Sequence, residues 1–200
     1  MLDGILESAS AMFTLPGQDE CGDRDGVVST PQGALATVID GIGHGPEAAE
    51  AAERALISVR HLVRGESLIE ILKRCHTALT GSRGAVMNLA SFDNREGTLT
   101  WVGIGNVEGR LLLRNTQSGY VRQNLLLRPG VVGQRLPSLQ VAVNRVQRGD
   151  LMVFATDGVA PDFAEHIRID SPVTEIANGI ISRYCKKTDD ALALVVRYLG

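Results

Sequence analysis

The sequence predicts an α+β protein, a layered sandwich in which helices cover β-sheets. Three observations carry this. Two helical stripes follow one another after residue 46 with no strand between them. A long run of short apolar segments comes next, broken by turns such as Asp93-Asn94-Arg95-Glu96-Gly97 and Gln117-Ser118-Gly119. A single late helix then precedes a last strand. Regular alternation of strand and helix would imply a parallel sheet, and this order does not alternate.

In chain order, the first predicted strands are Ala11–Leu15, Gly26–Ser29 and Ala34–Ile39. A helix is expected from Pro46 to about Arg64, because Ala48, Ala52, Ala55, Leu56, Val59, Leu62 and Val63 form one apolar stripe. Pro46 suits its first turn, and Glu50 with Arg54 can pair one turn apart. After Gly65, Leu68, Ile71, Leu72, Cys75 and Leu79 repeat the helical period. Strands are expected at 84–92, 98–102, 109–113, 120–126, 139–146 and 151–155. Ser171-Pro172 reads as a cap and first turn for a third helix with the stripe Val173, Ile176, Ala177, Ile180, Ile181 and Tyr184. Ala191–Tyr198 is the last strand. With no low-complexity linker and no internal repeat, residues 1–200 read as one domain.

Composition narrows the function classes. The chain is 44% apolar and 22% charged, which suits an ordinary globular core. No apolar run is long enough to span a bilayer, and Met1-Leu2-Asp3-Gly4 has no basic signal-peptide start. Three scattered cysteines (Cys21, Cys75, Cys185) lack disulfide or zinc spacing and point to a reducing cytoplasm. The net charge of −3 and the lack of a basic run interleaved with aromatics argue against nucleic acid. Charge is nevertheless uneven: residues 110–148 hold seven arginines and no Asp or Glu, against 15 acids and 8 bases in residues 1–109. That middle stretch is either a solvated face or a surface for an acidic or phosphorylated partner.

The segment "ATVIDGIGHGPEAAEAA" (Ala36–Ala52) joins a strand, a glycine turn and a helix. It is not a dinucleotide fingerprint, since Gly41, Gly43 and Gly45 are spaced G-x-G-x-G and no strand follows to carry the acid. Nor does it match the D-x-G-x-G box of the GHKL ATPases: Ile42 stands where glycine is needed, and no Asn precedes Asn88. A second apolar strand, "DLMVFATDGVA", ends in Asp157-Gly158. "KKTDDALALVV" places Asp189 and Asp190 before another, and "CGDRDGVV" places Asp23 and Asp25 before a fourth. One Asp-Gly is usually a hairpin turn. Asp40, however, is followed by a helix, and carboxylates gathered at sheet ends repel unless a cation lies among them. Oxygen donors without a His/Cys cluster favour Mg²⁺ or Mn²⁺ over zinc. A glycine after the Asp lets its carbonyl approach an ion. Two such ions about 3.5–4 Å apart activate a bridging water and brace in-line attack on phosphorus.

These motifs, "DGIGHG" (Asp40–Gly45), Gly22-Asp23, "TDGV" (Thr156–Val159) and "DDA" (Asp189–Ala191), resemble the PP2C-type serine/threonine phosphatases of the SpoIIE/RsbU branch. "RGAVMNLASFD" (Arg83–Asp93) and "VGIGNVEGRL" (Val102–Leu111) are similar to its stand-alone members that serve the stressosome. The resemblance implies a four-layer αββα sandwich, with two central, mostly antiparallel sheets, and two divalent cations, Mn²⁺ or Mg²⁺, in the cleft between them. It implies that Asp40 bridges both ions and Gly41 lends its carbonyl. Asp157 and Asp189 would complete one ion's carboxylates, with Asp190 a further candidate in the pair, and Asp23 would anchor the other ion. The implied substrates are phosphoserine or phosphothreonine on STAS-domain proteins (RsbS- and RsbR-like), dephosphorylated by a cytoplasmic monomer to reset stress signalling.

Several residues keep two readings. His44 either protonates the leaving alkoxide, for which an ordinary imidazole pKa near 6.5 is suitable, or caps or packs against the adjacent helix. Arg24 and Arg83 are candidates to hold the substrate phosphate, or else are structural. Asp25 is either a support to the site or a turn residue. At the level of the whole chain, a catalytically idle binding module and a nucleotide-binding regulator are the competing functions. The first would be marked by loss of aspartates, yet Asp23, Asp40, Asp157 and Asp189 all stand.

Overall fold

A computed structural model describes residues 4–61, 65–115, 117 and 119–200. In chain order the elements are β1 (Leu6–Phe13), β2 (Asp23–Thr30), β3 (Gly33–Gly41), α1 (Pro46–Arg60), α2 (Leu68–Ala78), β4 (Ala85–Asp93), β5 (Thr98–Ile104), β6 (Glu108–Asn115), β7 (Gly119–Asn124), β8 (Ala142–Arg145), β9 (Leu151–Ala155), α3 (Val173–Tyr184) and β10 (Ala191–Tyr198). The strands make two five-stranded sheets, ordered β1-β10-β9-β6-β7 and β2-β3-β4-β5-β8. All eight ladders are antiparallel.

Three apolar layers bind four structural ones, because successive residues of a strand point to opposite faces. Met152 and Phe154 of β9 enter the core between the sheets, where Trp101, Phe92, Leu192 and Leu194 also lie. Leu151, Val153 and Ala155 of the same strand turn outward and pack with Val173, Ile176 and Ile180 of α3. On the other sheet Leu35, Ile39, Met87 and Leu89 are covered by Ala52, Leu56 and Leu72 of α1 and α2. Strands sandwiched on both faces therefore read as continuous apolar runs. The layering is the αββα sandwich expected.

The helix stripes hold: Ala48, Ala52, Ala55, Leu56 and Val59 are buried in α1. Leu62 and Val63, the end of the predicted stripe, lie outside the described residues, as does Ser118 of the predicted 117–119 turn. Arg54 does not pair with Glu50; its guanidinium donates to the Ala78 carbonyl, tying α1 to the end of α2. The predicted cap at Ser171 is also corrected. Pro172 takes the N-cap position with no side-chain cap, and the Ser171 carbonyl instead accepts from Arg197 at 2.6 Å. The 93–97 turn forms as expected, with the Asp93 carboxylate accepting from the Arg95 and Glu96 amides at 2.8 and 3.1 Å.

Strand ends are where expectation and structure differ most. β1 begins at Leu6, five residues before the predicted start, because its pairing with β10 runs the full length from Leu6↔Tyr198 to Phe13↔Ala191. β8 keeps only Ala142–Arg145 of the predicted 139–146. All three cysteines are free thiols, and burial pushes the Cys21 thiol up to about 11, as suits an inert packing group.

Candidate metal centre

β2 starts and β3 ends at the same edge of one sheet, and their register places Asp23 directly opposite Asp40. Asp23 is 2% exposed. Burial is the main reason its carboxyl is pushed up to about 7, with Asp190, Asp157 and Asp189 adding to the shift and a hydrogen bond from Thr156 opposing it. That bond is 2.8 Å from the Thr156 hydroxyl to the Asp23 carboxylate. The same hydroxyl oxygen accepts the Leu192 amide at 2.8 Å. Thr156 thus joins the second sheet to the first at the site.

Asp40 is pushed further, to about 9, first by burial and then by Asp23, Asp157, Asp189 and Asp190. All four other carboxylates therefore lie near enough to Asp40 to repel its charge. Gly41 follows, and its amide donates to the Gly22 carbonyl at 3.1 Å. A Cβ at Gly41 would lie 2.1 Å from the Ala48 carbonyl oxygen, so only glycine lets β3 meet α1 this closely.

Asp157 comes from the other sheet, two residues past β9. Its carboxyl is raised by burial and by Asp189, and lowered by Lys186 and a hydrogen bond from Asn106. The Asn106 amide reaches it at 2.7 Å, and the Lys186 ammonium holds the Asp157 carbonyl at 2.6 Å. Gly158 is needed for packing: a Cβ there would stand 1.9 Å from the Asp190 carbonyl oxygen.

The Asp189-Asp190 pair divides its work. Asp190 is buried, and its two carboxylate oxygens accept the Leu15 and Gly22 amides at 2.8 and 2.7 Å. It braces the approach to β2, a role the sequence did not indicate. Asp189 is half-buried, accepts the Asp190 amide at 2.9 Å and faces Asp157 electrostatically.

The glycine turn itself reaches Pro46 through Gly43 and Gly45, with φ of +92° and +77°. Those are left-handed conformations that favour glycine. His44 is exposed between them and makes no hydrogen bond among the described residues; α1 has no side-chain cap, which removes the capping alternative. Arg83 stands against Gly43 and pairs with Glu47 of α1. The Arg24 guanidinium is held by Glu53 at 3.2 Å and by the Cys21 and Asp23 carbonyls at 2.6 and 2.9 Å, which ties down the entry to β2. Asp25 is neither a turn nor part of the site: it lies within β2 opposite Val38, hydrogen-bonded to the Ser10 side chain.

As they stand, no three acidic, histidine or cysteine side chains among the described residues converge tightly enough to ligate one ion. Asp23 and Asp190 are buried, Asp40 and Asp189 are half-buried and Asp157 is exposed. The donor set nevertheless suits hard cations: it is all oxygen, it comes from both sheets, and burial with mutual repulsion has raised Asp23, Asp40 and Asp157. Sequence reasoning missed Asn106, Lys186 and the Thr156 hydroxyl as supporting groups. Their only signal was position inside the quoted "VGIGNVEGRL", "TDGV" and "KKTDDALALVV" segments.

Comparison with known proteins matches residues 30–198 to the family model described as Stage II sporulation protein E (SpoIIE). The chain is 24% identical over 178 residues to the phosphoserine phosphatase RsbX of Bacillus subtilis (strain 168), covering 87% of this chain and 85% of that protein. A crystal structure of RsbX in complex with magnesium superposes with a TM-score of 0.84 at 21% identity, over 98% of this chain and 96% of that one. A chain from a structure described as the bacterial stressosome, a modular system adapted to control secondary messenger signalling, is 31% identical, with a TM-score of 0.84 over 96% and 99% of the two chains. The catalytic domain of the serine/threonine protein phosphatase PstP, solved with two manganese ions, shares the fold with a TM-score of 0.72 at 16% identity, over 98% and 99%.

Proposed function

Because this chain belongs to the SpoIIE family of PP2C-type phosphatase domains, we propose that it is a metal-dependent protein serine/threonine phosphatase that works with two divalent cations, Mn²⁺ or Mg²⁺. The observation that carries the proposal is that Asp23 and Asp40, paired in register on one sheet, lie within electrostatic reach of Asp157 and Asp189 from the other. The phosphoserine phosphatase activity of RsbX and the metals solved with RsbX and PstP support it.

Asp40, with the Gly41 carbonyl, is the proposed shared ligand, and Asp23, Asp157 and Asp189 complete the set. Bound divalent ions would lower the pKa of water and neutralise charge on the phosphoryl oxygens. The chain's own residues supply the rest. Asn106 and Lys186 fix the Asp157 loop from two sides. Thr156 holds the Asp23 carboxylate in line with Asp40. Asp190 keeps the Leu15–Gly22 segment against the cleft. His44, exposed and without a hydrogen bond among the described residues, is the proposed donor of a proton to the leaving serine or threonine oxygen. Arg83, over the glycine turn, is the proposed phosphate contact.

The proposed substrates are phosphorylated STAS-domain proteins of the RsbS and RsbR type, met in the cytoplasm by a monomer in which residues 1–200 form one catalytic domain. The 31% identity to a stressosome chain supports this choice of partner. No helix among the described residues is long and apolar enough to cross a membrane. The test is incubation with purified phospho-STAS proteins, with Mn²⁺ or with excess EDTA. Phosphate release with Mn²⁺ alone is expected; full turnover in EDTA would overturn the reading.

A further inference from the structure

β7 stands last in its sheet, paired with β6 on one side and with no strand among the described residues on the other. Exposed edges invite pairing, and most proteins shield them. Gly119, Val121, Arg122 and Asn124 are exposed, Val121 to 45%, as is Leu126 just beyond the strand at 71%, while Tyr120 and Gln123 are half-buried. Its charge is one-sided as well. Of the seven arginines in residues 110–148, only Arg110 and Arg114 have a carboxylate partner among the described residues, namely Glu108 and Asp170. Arg122, on the edge itself, donates to the Ala164 carbonyl at 2.8 Å.

The edge leads to the metal centre through continuous backbone. The Leu125 amide donates to the Gly109 carbonyl at 2.9 Å, and the Arg128 carbonyl accepts the Gly105 amide at 2.9 Å. The next residue, Asn106, holds the Asp157 carboxylate. A segment lying along β7 and over Leu126 to Arg128 would therefore arrive at the rim of the cleft.

We infer that the free edge of β7, continued by residues 125–128, docks an acidic segment of the phosphoprotein substrate. The segment adds as a strand, its carboxylates facing Arg122 and its apolar side chains meeting Val121 and Leu126. This inference rests on the phosphatase reading of the site. A second copy of this chain is the less suitable occupant, since pairing two β7 edges would align two acid-free, arginine-bearing strands.

The probe is a fluorescent phosphoserine peptide with six acidic residues interspersed with valines, compared with the same peptide in which serines replace the acids. Anisotropy should show about tenfold tighter binding of the acidic form to the wild-type protein, an advantage that shrinks with salt. Arg122→Glu and Leu126→Asp should each remove most of that advantage, while Arg122→Lys retains it. Both disruptive variants should melt like wild type and hydrolyse p-nitrophenyl phosphate at the wild-type rate with Mn²⁺. Equal binding of the two peptides, or unchanged binding by both variants, would overturn the docking surface. Self-association in sedimentation that Leu126→Asp abolishes would also overturn it, by giving the edge to a second copy. Acidic-peptide binding as expected, with no turnover of either peptide or of p-nitrophenyl phosphate, would leave the docking surface standing and refute the phosphatase reading instead.

Discussion

Asp23 and Asp40 stand opposite each other on neighbouring antiparallel strands, and the fold carries both carboxyls far above their ordinary range, to about 7 and about 9. Like charges in register destabilise a ladder. The folded chain therefore holds a pair of acids that it can keep only by protonating them or by binding a cation.

Stability of the metal-free protein should fall as pH rises. Both folded-state values exceed the unfolded one of about 3.9, so these groups favour the fold fully below that pH. Their contribution is lost as pH passes about 7 for Asp23 and about 9 for Asp40. Thermal melts in EDTA from pH 5 to 9 should show this slope, and Asp40→Asn should flatten its alkaline part. Mn²⁺ should raise the melting temperature most at the alkaline end, where the ligands are already deprotonated. Identical slopes for wild type and variant would contradict the assignment.

The Thr156 hydroxyl serves Asp23 and the Leu192 amide at once, in a buried position. Thr156→Val keeps the shape and orphans both partners, so denaturant unfolding should show a loss of about 1–3 kcal/mol. Thr156→Ser should recover most of it.

The neighbouring acids Asp189 and Asp190 should separate by readout. Asp190→Asn leaves one carbonyl oxygen for two backbone donors, Leu15 and Gly22, and should cost about 2 kcal/mol of stability. Asp189→Asn should melt near wild type and instead weaken Mn²⁺ binding in calorimetry. The reverse pattern would exchange their roles.

Asn106 touches no expected ion and orients Asp157 through one bond of 2.7 Å. Asn106→Ala should shift the Mn²⁺ concentration needed for half-maximal activity by roughly 10–100-fold. Its turnover at saturating metal should change far less.

The sequence made the layers and the acidic residues legible because both follow short-range rules. Helical stripes such as Ala48, Ala52 and Leu56, and apolar runs such as Leu151–Ala155, show their period directly. Asp-Gly at the ends of two strands marked the cleft. Tertiary pairing decided the rest. β1 contains Glu7, Ser8 and Ser10, which do not read as a strand, and it forms because β10 offers a complete ladder. Arg24, a candidate phosphate contact, pairs with Glu53 of α1, a partner that nothing in its own segment announces. Asn106 and Asp157 are 51 residues apart, and nothing local to Asn106 announces that they meet.

The central claim is that the carboxylates around Asp40 work through divalent cations to cut phosphoserine esters. It is tested most directly by phosphate release from a phosphoserine-bearing protein as Mn²⁺ is titrated, with wild type beside Asp40→Asn. The account predicts saturable, EDTA-reversible turnover by wild type and at least a hundredfold less by the variant, of the order expected when a metal's activation of water is lost, although the variant melts no lower in metal-free buffer. Metal-independent turnover, or an Asp40→Asn protein as active as wild type, would contradict it.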